Sequence, residues 1–150
     1  MRLGRRIGID VGDVRIGVAV SDPEGRLATD LETIAAGPDA VSRLVELIGE
    51  HDAIECIVGL PLSLSGRQGP AARKVRSFAE RLESEIVDVP VRLVDERMST
   101  AEAAGRLRES GVSSRDQRAI VDRAAARVIL QSALDMERGT GRQPGWDVSQ

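Results

Sequence analysis

The stretch Arg6-Ile7-Gly8-Ile9-Asp10-Val11-Gly12-Asp13-Val14-Arg15-Ile16-Gly17-Val18-Ala19-Val20-Ser21-Asp22 constrains the fold more than any other part of the chain. Its β-branched residues alternate with small or polar ones on both sides of Gly12-Asp13, a dipeptide with hairpin-turn chemistry, so the segment reads as two antiparallel strands. Alternation sends Ile7, Ile9 and Val11 to one face of the first strand and Gly8, Asp10 and Gly12 to the other. Asp10 then stands at the strand's end among residues with almost no side chain, which leaves room for a phosphate or a metal-bound water close to the backbone. An aspartate here also suits an ordinary turn cap, and this stretch alone does not separate the two readings.

Composition narrows the classes of protein open to the chain. At 150 residues, 41% apolar and 30% charged, it fits one globular domain able to bury a sizeable core. No apolar run is long enough to span a membrane, and the N-terminus Met1-Arg2-Leu3-Gly4-Arg5-Arg6 leads into a strand and not a signal-peptide core, so a cytoplasmic location is expected. Cys56, the only cysteine, lies in the apolar run Ile54 to Val58 and is expected to be buried and inert. His51, the only histidine, has no Cys or His partners near it and is expected at a helix end, so any metal must be held by carboxylates. The net charge of −3 argues against a protein that coats nucleic acid non-specifically. Local basic clusters at Arg5-Arg6, Arg15, Arg67, Arg73-Lys74-Arg76 and Arg97 can still grip phosphates, although solvated charge is the commoner role for any one of them. With Phe78 and Trp146 as the only aromatic residues, there is no platform for stacking unpaired bases.

Beyond the hairpin, Leu27 to Ile34 is expected to add a third antiparallel strand after the Pro23-Glu24-Gly25 turn. Gly37-Pro38-Asp39 opens a helix with Val41, Leu44, Val45 and Ile48 at helical spacing. Ile54 to Leu60 has the continuous apolar pattern of a strand buried on both faces. Gly59-Leu60-Pro61 and a loop containing Ser63, Ser65, Gly66 and Gly69 follow it, at the carboxyl end of a strand where open α/β sheets bind ligands. Pro70 starts a second helix running to about Glu85. Val91 to Glu96 reads as a strand closed by two carboxylates, Ala101 to Glu109 as a short helix, and Ser113-Ser114 with Asp116 opens a last helix to about Glu137. Asp122 lies on the edge of that helix's apolar face, where a carboxylate needs a cation or donors. Residues 139–150 lack periodicity and are expected to form a flexible tail after a domain spanning 1–138. The expected architecture is α/β: a mixed five-stranded sheet, three antiparallel strands followed by two parallel additions, flanked by helices. Such a sheet can bring Asp10, Glu96 and Asp122 together.

Gly8-Ile9-Asp10-Val11-Gly12 with Arg15 to Asp22, then Val58-Gly59-Leu60-Pro61, Asp95-Glu96-Arg97-Met98-Ser99-Thr100-Ala101, and Asp122-Arg123-Ala124-Ala125-Ala126 leading into Ile129-Leu130-Gln131, together resemble the YqgF/RuvX family. The resemblance runs in matching order from about Gly4 to Glu137. It implies an RNase H-like fold and a pre-16S ribosomal RNA nuclease, or a Holliday-junction-resolvase-like enzyme, that cleaves phosphodiester bonds with Mg²⁺ or Mn²⁺. Asp10, Glu96 and Asp122 match the family's acidic triad as metal ligands and catalytic groups. Strand alternation favours Glu96 over its neighbour Asp95, although an irregular strand end could exchange them. Arg15, Arg97 and the loop residues Ser63, Ser65 and Gly66 are candidate substrate contacts. The implied function is processing of the 5′ end of pre-16S rRNA in ribosome biogenesis, with nucleic acid and ribosomal particles as partners and a monomer or homodimer as the working form. Three alternatives stand beside it: a resolvase acting on branched DNA, a non-catalytic nucleic-acid-binding module, and an actin-like phosphate loop, which one domain of this length would leave uncovered.

Overall fold

The computed structural model describes residues 2–63, 65–96 and 114–148, with backbone only for 114–123. Its elements are β1 (Arg6–Val11), β2 (Arg15–Ser21), β3 (Ala28–Ala35), α1 (Ala40–Glu50), β4 (Glu55–Leu60), α2 (Pro70–Ser84), β5 (Val91–Asp95), α3 (Ser114–Thr140) and β6 (Trp146–Asp147). They build one mixed sheet in the order β3-β2-β1-β4-β5-β6. The β1–β2 and β2–β3 pairs are antiparallel, β1–β4 and β4–β5 are parallel, and β5–β6 is antiparallel. The helix expected over Ala101 to Glu109 lies outside the described residues.

The alternation of β1 separates two cores. Ile7 and Ile9 join Ile16, Val18, Val58 and Leu93 beneath α1 and α2, where Leu44, Leu47, Val75 and Leu82 are fully buried or nearly so. On the other face, Ala19, Ile57 and Val94 pack against Ala126, Ile129, Leu130, Ala133 and Leu134 of α3. β4 is buried along its whole length, as its continuous apolar run requires. His51 caps the C-terminus of α1, and Cys56 is completely buried, which pushes its thiol pKa up and leaves it inert.

Gly8 sets how close α3 lies to β1. A Cβ at this position would stand 2.6 Å from the Leu130 Cβ and 2.9 Å from the Ala126 carbonyl oxygen, neither of which can swing away. Past that contact, Glu137 near the helix's C-terminal end meets Arg6 at the start of β1: the Arg6 guanidinium donates to Glu137 Oε2 at 2.8 Å and to the Gly4 carbonyl at 2.6 Å. Arg2 joins the same carboxylate and also bonds Glu55 at 3.2 Å, so two arginines and two glutamates tie the N-terminal segment, β4 and α3 together. Burial alone would raise the Glu137 carboxyl, but the Arg2 hydrogen bond and the Arg2 and Arg6 charges outweigh it and hold the carboxyl below its usual range. Arg6, one of the basic residues read as a phosphate grip, is only 1% exposed and is occupied by this network.

The C-terminal segment departs from the expected five strands and tail. Arg92 donates to the carbonyls of Pro144 at 2.6 Å and Gly145 at 2.8 Å, and Trp146 and Asp147 pair with Leu93 and Arg92 as a sixth strand. Gly145, at φ +63°, passes so close to the β5 backbone that an added Cβ would fall 1.9 Å from the Leu93 carbonyl oxygen. Trp146 packs on the core and Val148 is buried. A two-residue strand is too short to show periodicity, which is why the sequence pattern reads as a tail.

Gly8→Ala is expected to destabilise the protein by about 1–3 kcal/mol, because the methyl group must force α3 off the sheet. Urea unfolding checks this, and a variant as stable as the wild type would show that α3 has slack over β1.

Candidate active site

The parallel register brings two distant carboxylates to one end of the sheet. Asp10 lies near the C-terminal end of β1, opposite Gly17 of β2, on the face that Gly8 turns toward α3. β4 runs between β1 and β5, with Val58 level with Ile9 on one side and with Leu93 on the other. Glu96 follows β5 directly and prolongs the ladder, its N–H donating to the Leu60 carbonyl at 3.3 Å. Val94 packs toward α3, so Glu96, two residues on, turns the same way and reaches across Gly59 of β4. There its carboxyl shares a hydrogen bond with Asp10.

Electrostatics mark this pair as unusual. Burial pushes the Glu96 carboxyl up most, the Asp10 charge and the shared hydrogen bond add to it, and the exposed Asp95 contributes a further push, to a pKa of about 8. Glu96 Oε2 is buried and, among the described residues, has no hydrogen-bond partner. Two carboxylates this close need a proton or a cation between them, and hard oxygen ligands of this kind suit Mg²⁺ or Mn²⁺. Among the described residues no group of three potential ligands is assembled. Asp122 belongs to the α3 backbone, but its side chain lies outside the described residues. The helix runs from Glu137 beside Arg6 to Ala126 beside Gly8, so its preceding turn, with Asp122, continues toward the Asp10 end of the strand.

A cleft of about 300 Å³ opens beside the pair, with Glu96, Gly12, Asp13, Pro61 and Lys74 among its lining residues. Lys74 Nζ lies 3.6 Å from Asp13 Oδ1, and both side chains are largely exposed. Arg15 is half-buried at the start of β2, where its carbonyl accepts the Gly12 N–H at 3.0 Å and closes the hairpin turn. The loop after β4 forms a closed turn: Ser63 Oγ meets Ser65 Oγ at 2.9 Å and accepts the Arg67 N–H at 3.1 Å, with Gly66 at φ +82°. Arg97 lies outside the described residues. Sequence reasoning overlooked Gly59 as a component of the site. A glycine inside an otherwise β-branched central strand is the signal that marks it, because such a position usually records a close approach.

The fold, a mixed sheet with helices on both faces and an acidic pair at its carboxyl edge, is RNase H-like. The chain belongs to the RuvX family, described as Holliday junction resolvase, whose sequence profile matches residues 4–136. A Streptomyces coelicolor protein with the provisional name pre-16S rRNA nuclease is 55% identical over 150 residues, covering 99% of this chain and 90% of its own length. A Nocardioides protein of the same name is 54% identical, covering 97% of this chain and 96% of its own. In fold, the chain is similar to Thermus thermophilus RuvC in complex with a Holliday junction substrate, at a TM-score of 0.57 and 20% identity over 93% of this chain and 99% of that one.

A carboxyl whose pKa is raised on folding stabilises the fold fully below its unfolded value, and that stability is lost as pH rises from about 4.5 through about 8. Glu96→Gln removes the charge and lets the amide donate to Asp10. Its melting temperature is expected to exceed the wild type's by a few degrees at pH 8.5, with the gap closing toward pH 4.5. A variant no more stable than wild type at pH 8.5 would show that Glu96 is not confined against Asp10.

Proposed function

We propose that this chain is a divalent-metal-dependent nuclease that trims the 5′ end of pre-16S rRNA in the cytoplasm during ribosome biogenesis. The observation that supports the chemistry is the buried, unpartnered Oε2 of Glu96 held against Asp10. The substrate reading rests on the name shared by relatives more than half identical over nearly the whole chain. Among the described residues no helix is long and apolar enough to cross a membrane, which agrees with a substrate met in solution.

Asp10 and Glu96 are the residues that would hold Mg²⁺ or Mn²⁺, with Asp122 as the third ligand. When bound, such a cation lowers the pKa of a coordinated water and offsets charge on the leaving oxygen. The protein's own groups prepare that chemistry. Asp10 and Glu96 share a hydrogen bond across which a proton is held between the two carboxyls, and a cation bound there would take over that screening of their charges. Gly59 keeps a side chain away from the Glu96 carboxylate. Lys74, Arg15, Arg97 and the turn containing Ser63, Ser65 and Gly66 are the proposed phosphate contacts, which fix the register of the strand without reading its bases.

The family description favours a second reading, resolution of branched DNA. That reaction requires two active sites related by a dyad, so it demands a homodimer, whereas trimming of one RNA end does not. A binding module without catalysis fits less well, since acids facing a polyanion weaken binding unless they hold a cation.

Labelled precursor rRNA and a four-way DNA junction, each incubated with Mg²⁺, Mn²⁺ or EDTA, separate these readings. Wild-type protein is expected to trim the RNA only with metal, and Asp10→Asn to lower the rate by more than about 100-fold, beyond the usual cost of losing an outer-shell metal partner. Symmetrical cutting of the junction alone would move the assignment to resolvase. Folded wild-type protein that cuts neither would leave a binding module.

A further inference from the structure

We infer that Gly59 is a positioning residue for the active site: the missing side chain on β4 is the space through which the Glu96 carboxylate reaches Asp10. The inference deepens the nuclease reading and rests on it for its link to metal binding.

Three observations carry it. Gly59 lies on the strand between the two that carry the acids, with Val94 as its register partner on β5. A Cβ on Gly59 would stand 2.7 Å from Glu96 Oε2 and 2.6 Å from Ile129 Cδ1, both far closer than atoms approach one another. The oxygen it would strike is the buried one with no partner among the described residues. The close approach at Gly59 therefore differs from that at Gly8. At Gly8 the two nearest obstacles are a Cβ and a backbone carbonyl, whereas at Gly59 they are the free ends of two side chains that can rotate, with the Glu96 Cβ behind them at 3.2 Å. A methyl group at Gly8 displaces a helix; at Gly59 it displaces a carboxylate. Val58 and Leu60 turn to the opposite core, and Ile57, the next β4 residue on this face, carries a buried side chain packed against α3, so Gly59 is where β4 leaves the passage open.

Glu96 reaches Asp10 from a different strand, and its side chain has several rotatable bonds. Confining it beside a like charge requires that its other rotamers be worse. Ile129, 1% exposed, closes the α3 side, and the β4 backbone at Gly59 forms the floor on which the carboxylate lies. With a methyl group in that floor, Glu96 swings outward to water, where it is solvated and no longer repelled by Asp10. The protein then gains stability locally and loses a ligand.

The test combines Gly59→Ala with Ile129→Val, which removes the Cδ1 atom in the way and keeps the variant folded, and uses Ile129→Val alone as the control. In the first arm, Glu96→Gln is introduced into both backgrounds and melting temperatures are compared at pH 8.5 without metal. The stabilisation by Glu96→Gln is expected in the Ile129→Val background and to fall to less than about one-third of that value beside Ala at position 59, because Glu96 is no longer confined. Equal stabilisation in both backgrounds would overturn the inference. The second arm follows free Mn²⁺ by electron paramagnetic resonance. Ile129→Val sets the reference affinity, and the double variant should bind Mn²⁺ at least about tenfold more weakly than it, as expected when one ligand leaves the site. Unchanged Mn²⁺ affinity in a folded double variant would also overturn it. Wild-type protein that binds no Mn²⁺ would sink the metal reading, and the first arm would then decide the role of Gly59 alone.

Discussion

Two carboxyl groups pressed against each other away from water repel and desolvate one another, and a chain left to itself would separate them. Here Asp10 is fixed by its place in the central strand, paired on both sides, while Glu96 is fixed by the ladder bond to Leu60, the β4 floor at Gly59 and the tip of Ile129. The rest of the structure depends on that forced proximity. With burial, it accounts for the raised Glu96 pKa, and it explains why a glycine stands at position 59, where a side chain would strike the Glu96 carboxylate. Stability given up at a site of this kind is recovered elsewhere in the fold.

The opposite end of the sheet is arranged differently. Arg6, Arg2, Glu137 and Glu55 form a buried network in which each carboxylate meets a guanidinium, the reverse of the arrangement at the active edge. Breaking one partner of such a network leaves an uncompensated buried charge, so the two ends answer to opposite electrostatic rules. α3 joins them. Its C-terminal part is anchored by Glu137, its middle is pressed on β1 at Gly8, and its first turns run on toward Asp10. One helix thus joins the network to the end of the sheet that carries Asp10.

The features legible in the sequence were those set by local pattern. The β-branched alternation around Gly12-Asp13 gave the hairpin, and the unbroken apolar run gave a central β4, because neither depends on distant partners. Asp10 and Glu96 could be singled out as acids ending strands. The expected parallel additions after the hairpin already brought the two acids to one end of the sheet, but local pattern does not contain the residue-by-residue register of β4 between them, and so the part played by Gly59 was not foreseen. Arg6 read as a surface cation because exposure is the rule for arginine, and its burial depends on Glu137, 131 residues away. β6 was hidden for a related reason: two residues carry no period, and their place is fixed by Arg92 reaching the Pro144 and Gly145 carbonyls.

The central claim is that the Asp10–Glu96 pair is a cation site. The most direct test is anomalous diffraction from crystals of the wild-type protein soaked in Mn²⁺. The account predicts an anomalous peak within ligand distance of both carboxylates, absent from crystals of Asp10→Asn treated alike. A well-ordered site with both acids in place and no peak at saturating Mn²⁺, or a peak that persists in Asp10→Asn, would contradict it.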